Sequence, residues 1–390
     1  MQPLSGVRVV ELAALGPVPW CGMLLAGLGA QVVRIERPAP QGLPLPPASR
    51  FEFTDRGCHR LALDLKSAAG VAAALRLVRH ADALMEGMRP GVAERLGLGP
   101  KACHRVNPAL VYGRMTGWGQ HGPLAQRAGH DINYLALSGA LHAIGARDGP
   151  PALPLNLVAD LGGGGAFLAI GLLAALLQAR RSGAGSVLDV AMVDGVANLM
   201  AMPYGRLAAG RWRDERGSNL LDGGTPWYDV YETADGRYMA VGAIEPAFYE
   251  AFVRGLGLDP AALPDRADRA CWPELRRRFA AAFGQAGRDE WQRRFEGVDA
   301  CVTPVLSMTE APHHPHHRAR GTFVEWGGVL QPAPAPRCTS AHATAEATGL
   351  RTADFGGLDS LLRAWGMPAD EIDALRGSAA AASADGPGPA

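Results

Sequence analysis

The chain has 390 residues, too many for one ordinary core, and this length predicts two domains with considerable buried area. Lysine plus arginine equals aspartate plus glutamate, 38 each, so no global field favours nucleic acid or an anionic membrane, and any basic site must be local. Cys21, Cys58, Cys103, Cys271, Cys301 and Cys338 occur without any CxxC or repeated spacing, which argues against a disulfide scaffold or a zinc ribbon. The N-terminal MQPLSGVRVVEL lacks a basic start followed by an apolar core. The most apolar run, Ala166 to Leu177, is well short of the ~20 residues of a bilayer span. The expectation is a cytoplasmic protein with neither a membrane nor a nucleic-acid partner.

In chain order, VRVVEL (Val7 to Leu12) reads as a β-branched strand, Gly16 to Ala30 as turn plus helix, and QVVRIE (Gln31 to Glu36) as a second strand. This is the βαβ opening of a parallel sheet. A third strand is expected at LALDL (Leu61 to Leu65), then a helix over SAAGVAAALRLVRHA and strands at ALMEG, LVYGRMTG and SVLDVAM, so residues 1–200 form one α/β domain. WYDVYET and RYMAVGAIE flank Ala234-Asp235-Gly236, a hairpin signal, and Arg-rich helical pieces follow. That places a linker at 201–224 and a smaller α+β domain at 225–320. Residues 321–377 return to the first domain, and the low-complexity stretch 378–390 is expected to be disordered.

Charged residues fall repeatedly just after the strands, on the rim where open α/β sheets bind ligands. ELAALGPVPW lacks GxGxxG between the first strand and its helix, and Gly27-x-Gly29 comes at the helix end, which disfavours NAD. Arg37, ending the second strand, suits a ribose that carries a phosphate, as in coenzyme A or NADP; a solvated strand end is the alternative. Asp64, Leu65 and Lys66, the turn from Glu86 to Gly91, and Arg95 extend this into a cationic path for phosphates.

GHDINYLALSGALHAIG, Gly129 to Gly145, raises the question of proton chemistry. Ile132, Leu135, Leu137, Leu141 and Ile144 recur at roughly helical spacing, which puts His130 at a helix start. A helix N-terminus disfavours a cation there, leaving the neutral imidazole that a general base needs, while Asp131 serves as a capping acceptor. A structural cap with an incidental histidine is the plainer alternative. Asp160 precedes four glycines, Gly162 to Gly165, and then a long apolar helix. Bare backbone there would let a ligand approach N–H groups at a helix start and stabilise a developing oxyanion. His130, Asp160 and such an oxyanion hole are parts for removing a proton next to a carbonyl. Glu245 ends the hairpin strand of the second domain and is a candidate to orient the histidine. His313 to His317, HHPHH, has Pro315 in its middle and no regularly spaced acidic or cysteine partner, so a surface turn is expected and no metal site. Met192, Met200 and Met202 are candidates for a plastic acyl lining, with core packing as the other reading.

From Leu4 to about Arg337 the chain resembles the alpha-methylacyl-CoA racemase branch of the class III CoA-transferase superfamily. The motifs that carry the likeness include VVELAALGPVPWCGMLLAGLGAQVVRIERP, LDLKS, EGMRPGVAERLGLGP, RMTGWGQHGPLAQRAGHDINYLALSGALHAIG, LNLVADLGGGG and LDGGTPWYDVYETADGRYMAVGAIEP. The resemblance implies a large Rossmann-like domain and a small α+β domain in an interlocked homodimer. It implies that His130 and Asp160 transfer protons on opposite faces of the substrate α-carbon, with Glu245 as partner of the histidine. CoA contacts are implied at Arg37, at Leu63, Asp64, Leu65 and Lys66, at Gly87, Met88 and Arg89, at Arg95, and at Gly129, Asp131, Ile132, Asn133 and Tyr134. Gly27 and Cys58 depart from the family's usual acidic and basic residues. The implied reaction interconverts (2R)- and (2S)-2-methylacyl-CoA thioesters through an enolate, with no metal or redox cofactor; the CoA moiety belongs to the substrate. Two alternatives stand beside it. One is a CoA-transferase with Asp160 as nucleophile, a branch that lacks the histidine; the other is a CoA-binding protein without catalysis.

Overall fold

The computed structural model describes residues 2–38, 51–338 and 357–384. The chain opens with β1 (Arg8–Leu12), α1 (Pro17–Gly27), β2 (Gln31–Glu36), β3 (Cys58–Ala62), α2 (Ala68–His80) and β4 (Ala83–Glu86). It continues through α3 (Val92–Arg95), α4 (Pro100–Val106), β5 (Val111–Thr116), α5 (Asp131–Leu137) and α6 (Ala140–Ala143). A π-helical segment, Leu157–Ala166, then runs directly into α7 (Phe167–Ser182), followed by β6 (Ser186–Ala191) and α8 (Met192–Leu199).

The six strands form one parallel sheet in the order β3-β2-β1-β4-β5-β6. Its central strands bury both faces, which is why they read as unbroken runs such as RVVEL and ALME. β3 begins three residues before the expected LALDL. As an edge strand it pairs Cys58, His59 and Arg60 with β2, and such polar residues carry no buried-strand signal. Ser67 starts α2 by accepting the Gly70 N–H at 3.0 Å.

The C-terminal half adds α9 (Ala201–Ala208), the hairpin β7 (Tyr228–Glu232) and β8 (Tyr238–Gly242), and α10 (Pro246–Gly255). After these come α11 (Trp272–Phe283), α12 (Arg288–Phe295), β9 (Val302–Pro304), which completes an antiparallel sheet with β8, and α13 (Pro315–Arg320). A second hairpin, β10 (Phe323–Trp326) and β11 (Val329–Pro332), precedes α14 (Leu358–Ala364) and α15 (Ala369–Ala384). α15 reaches Ala384, so the expectation of disorder from Ser378 is corrected up to that residue; 385–390 lie outside the described residues.

Contacts group the chain into two compact units. The first holds Met1–Ser138, Leu155–Leu199 and Gly321–Ala390; the second holds Gly139–Pro154 and Met200–Arg320. Residues 139–154, read from sequence as part of the first domain, and 201–224, read as a linker, both group with the second unit. In the first unit Leu361, Trp365 and Leu375 of the returning segment are buried with Leu77, Val78 and Leu84 in one core. The second unit packs an aromatic core of Tyr231, Phe252, Phe279, Phe283 and Trp291.

Leu157–Ser182 is one continuous 26-residue helix of mean hydropathy 1.8 in its most apolar window, long and apolar enough by length and composition to cross a membrane. The expectation of a run too short for a span is corrected accordingly. Within the first unit this helix packs on the sheet. Gly113 of β5 leaves room for it, since a Cβ there would stand 2.8 Å from Leu168 Cδ1 and 3.2 Å from Leu172 Cδ2.

Candidate functional site

The strand order reverses between β1 and β4, so the connections leaving their C-terminal ends diverge and open a crevice, the place where such sheets take ligands. Gly16, at the N-terminus of α1 with φ +72°, lies in one connection; a Cβ on it would sit 3.2 Å from Asp160 Oδ2. Gly87 lies in the other, where a Cβ would come 2.7 Å from Ala14 Cβ. The two turns are packed against each other, and glycine allows the approach.

His130 stands exposed at the N-terminus of α5, with extended backbone and its N–H donating to Asn133 Oδ1 at 3.0 Å. Asp131, only 7% exposed, turns inward. Its Oδ2 accepts the N–H groups of Ala159 and Asp160, each at 2.8 Å. It therefore caps the π-helical segment and not its own helix, a correction to the local cap expected of it. Asp160 occupies the first turn of that segment, half-buried, with Asn156 Nδ2 donating to its Oδ2 at 3.3 Å. Burial raises the Asp160 carboxyl above its ordinary value; the Asn156 hydrogen bond opposes this, the Asp131 charge adds to it, and His130 opposes it. Histidine and carboxylate thus share one field.

Tyr134 closes the site from behind. Its ring meets Trp118 edge-on at 4.7 Å, and a Cβ on Gly117 or Gly129 would collide with it at 2.2 or 2.9 Å. Burial and the Asp160 charge push its hydroxyl up to about 12, while Arg89 pulls the other way. Arg89 therefore acts on the same cluster from the turn after β4. Gln126 Nε2, donating to the Pro90 carbonyl at 3.0 Å, ties that turn to the segment leading into His130.

The glycine run has a different cause from the one expected. Gly163, Gly164 and Gly165 are buried inside the helix, where α1 and α8 cross it. A Cβ on Gly163 would meet Val196 N at 2.8 Å, on Gly164 Met192 Cγ at 2.9 Å, and on Gly165 Trp20 Cε3 at 2.6 Å. Close helix packing explains these glycines, and Met192 belongs to it. The N–H groups of Ala159 and Asp160 are engaged by Asp131, which removes them as oxyanion donors.

Of the residues expected to meet CoA, Lys66, Arg37, Arg89 and Arg95 are all exposed in the connections that follow β3, β2 and β4. With β1 between β2 and β4, they span roughly 14 Å at the usual strand spacing. Asp64 shapes the first turn, its Oδ1 accepting the Lys66 N–H at 2.9 Å. Leu63 is fully buried in the core and Leu65 and Met88 pack against it, so the first offers backbone only. Gly129 is half-buried, while Ile132 and Asn133 are exposed on α5. Glu86, read from sequence as part of the charged rim, is instead fully buried at the end of β4 and holds the following turn by accepting the Met88 N–H at 2.6 Å and the Arg114 Nε–H at 3.2 Å. Burial pushes its carboxyl up to about 7 against both partners. Sequence reasoning missed Gly16 and Asn156; the Gly-Pro at 16–17 was the available signal for the first.

In the second unit, Glu245 is exposed at the N-terminus of α10. His313 to His317 fall on a short 3₁₀ turn and α13, a helical setting in place of the expected surface turn. A cavity of about 1110 Å³ lies within this unit, lined by Arg147, Arg213, Asp222, Arg269 and Trp272 among others, including Met200. No residue expected from sequence to act on protons or CoA lines it. Met202 is exposed.

This chain is 46% identical to the alpha-methylacyl-CoA racemase of Mus musculus over 370 residues, covering 95% of each. It is equally identical to that of Homo sapiens over 336 residues, 85% of this chain and 86% of the other. A CAIB/BAIF family protein from Brucella suis has the same fold, with a TM-score of 0.76 and 26% identity over 87% of this chain and 93% of its own. Residues 4–353 match the model of CoA-transferase family III, and with these likenesses along most of its length the chain belongs to that family.

Proposed function

We propose that the protein is a racemase that interconverts (2R)- and (2S)-2-methylacyl-CoA thioesters by removing and returning the α-proton through an enolate. The observation that carries this reading is the coupled pair at the crevice. His130 stands exposed at a helix start, and a half-buried Asp160, its carboxyl raised, answers it from the π-helical segment. A half-buried carboxyl raised by its burial and an exposed imidazole at a helix start are two groups of the kind that give and take a proton beside a carbonyl. The racemase likeness along most of the chain supports the same assignment. Arg37, Lys66, Arg89 and Arg95 would seat the CoA phosphates along the rim.

The active unit is a homodimer in this reading, with Glu245 acting as partner of the histidine. Support comes from the apolar side chains that the first unit leaves in solvent: Ile132, Leu137, Leu157, Ile170, Leu177 and Leu199 are each at least 42% exposed. Light scattering at twice the 40.9 kDa chain mass is expected, and a monomer at micromolar concentration would contradict it.

One pure 2-methylacyl-CoA epimer, incubated with the enzyme in deuterated water, should gain deuterium at the α-carbon and approach an equal mixture of epimers. His130→Ala and Asp160→Ala should each lose at least ~100-fold in that rate. Acyl transfer to a second acid without exchange would overturn the reading in favour of Asp160 as nucleophile.

A further inference from the structure

Asp131 follows the histidine directly, yet its side chain leaves the crevice. Its carboxylate is 7% exposed and spans from α5 to the start of the π-helical segment, where Oδ2 takes both the Ala159 and Asp160 N–H groups. Two N–H donors on one buried oxygen at 2.8 Å are charge-assisted bonds that fix a backbone position closely. The backbone they fix is that of Asp160 itself. The other oxygen of Asp131, Oδ1, is buried with no hydrogen-bond partner among the described residues, so Oδ2 carries both bonds.

We infer that Asp131 is a positioning residue for the proton transfer: it locks the Asp160 backbone against the His130 helix and supplies a negative charge beside the Asp160 carboxyl. The inference rests on the racemase reading above. The lock is geometric. His130 caps α5 and Asp131 is its first residue, so the same short stretch that presents the imidazole also holds the second proton-transfer residue through the two bonds from Asp131 Oδ2. The charge has its own consequence. Groups acting on Asp160 are His130, Asp131, Tyr134 and the amide of Asn156, with Gly16 against Oδ2. Among these Asp131 is the one acidic neighbour that raises the Asp160 carboxyl.

Two variants separate the lock from the charge. Asp131→Asn is nearly isosteric, and its amide oxygen still accepts from the backbone while the charge is gone. Asp131→Ala removes both. The assay is deuterium incorporation into recovered, uninverted substrate, run separately from each epimer in deuterated water, because retention exchange reports the base that faces that epimer alone. With Asp131→Ala, exchange from the epimer facing Asp160 should fall at least ~30-fold more than exchange from the epimer facing His130, with the Michaelis constant within about threefold. With Asp131→Asn, the acidic limb of the turnover profile should move to lower pH, since the neighbour that raised the Asp160 carboxyl is neutralised. Equal losses from both epimers in Asp131→Ala, or an Asp131→Asn profile that overlays the parent, would overturn the inference. If Asp131→Ala does not fold, the Asp131→Asn profile decides alone. Absence of exchange in the parent enzyme would instead strike at the racemase reading.

Discussion

Gly163→Ala tests whether the glycine run serves helix packing or ligand approach. The added Cβ would face Val196 N at 2.8 Å, Val196 Cγ2 at 3.0 Å and the Gly195 carbonyl carbon at 3.1 Å, two of them backbone atoms that cannot rotate aside. α8 must then move off the helix that carries Asp160. Overpacking of this kind costs ~1–3 kcal/mol. Replacing a helical glycine returns up to about 1 kcal/mol, so the net loss is on the order of 0–2 kcal/mol, toward the upper end where the clash is with backbone atoms. For a unit of this size each kcal/mol lowers the melting temperature by roughly 2–4 °C. Gly171→Ala in α7 is the control, because its Cβ would meet only the movable end of Leu188 at 3.3 Å. Calorimetry or fluorescence melting should show a drop of several degrees for Gly163→Ala and no drop for Gly171→Ala, and turnover should fall with little change in the Michaelis constant. A Gly163→Ala protein as stable as its parent but with weakened acyl-CoA binding would refute the packing account and restore the ligand cradle.

Glu86 offers a pH test. Its folded carboxyl titrates near 7, above the ordinary 4.5, so stability from its protonated form is complete below about pH 4.5 and lost as pH rises through 7. Melts of Glu86→Gln should therefore gain on the parent by up to about 3 kcal/mol between about pH 5 and 8, and a gap that stays flat would show that Glu86 is ionised throughout. Arg37→Ala should raise the Michaelis constant for acyl-CoA ~10- to 150-fold, with turnover nearly unchanged, because a remote phosphate contact changes little in the transition state. Unchanged kinetics would return Arg37 to a solvated strand end.

Residue chemistry was the legible part of this site. His130 at a helix start, Asp160 ahead of the glycines and the basic residues after strands all follow from local pattern, and so do the buried strands β1, β2 and β4. What local pattern could not carry is direction and neighbourhood. Nothing in HDINY tells that Asp131 points to a helix start 28 residues later, nor does LGGGG distinguish a ligand cradle from a helix crossing. Strand order places β1 beside β4, and with it Gly87 beside Ala14, while Gly16 meets Asp160 where α1 crosses the π-helical segment; such pairings depend on the whole fold. The polar edge strand β3 was misplaced because burial on one edge leaves little periodicity to read.

His130 and Asp160 both belong to the single crossover between β5 and β6, and the chain leaves the first unit and returns to it between them. The two bonds from Asp131 to Ala159 and Asp160 close that excursion at its base, making a loop of 28 residues. Closure entropy grows only with the logarithm of length, so doubling such a loop costs about 0.6 kcal/mol. Closure entropy therefore sets little limit on the length of the excursion, whereas Arg216, donating to the His142 and Gly149 carbonyls, ties its middle to the rest of the second unit.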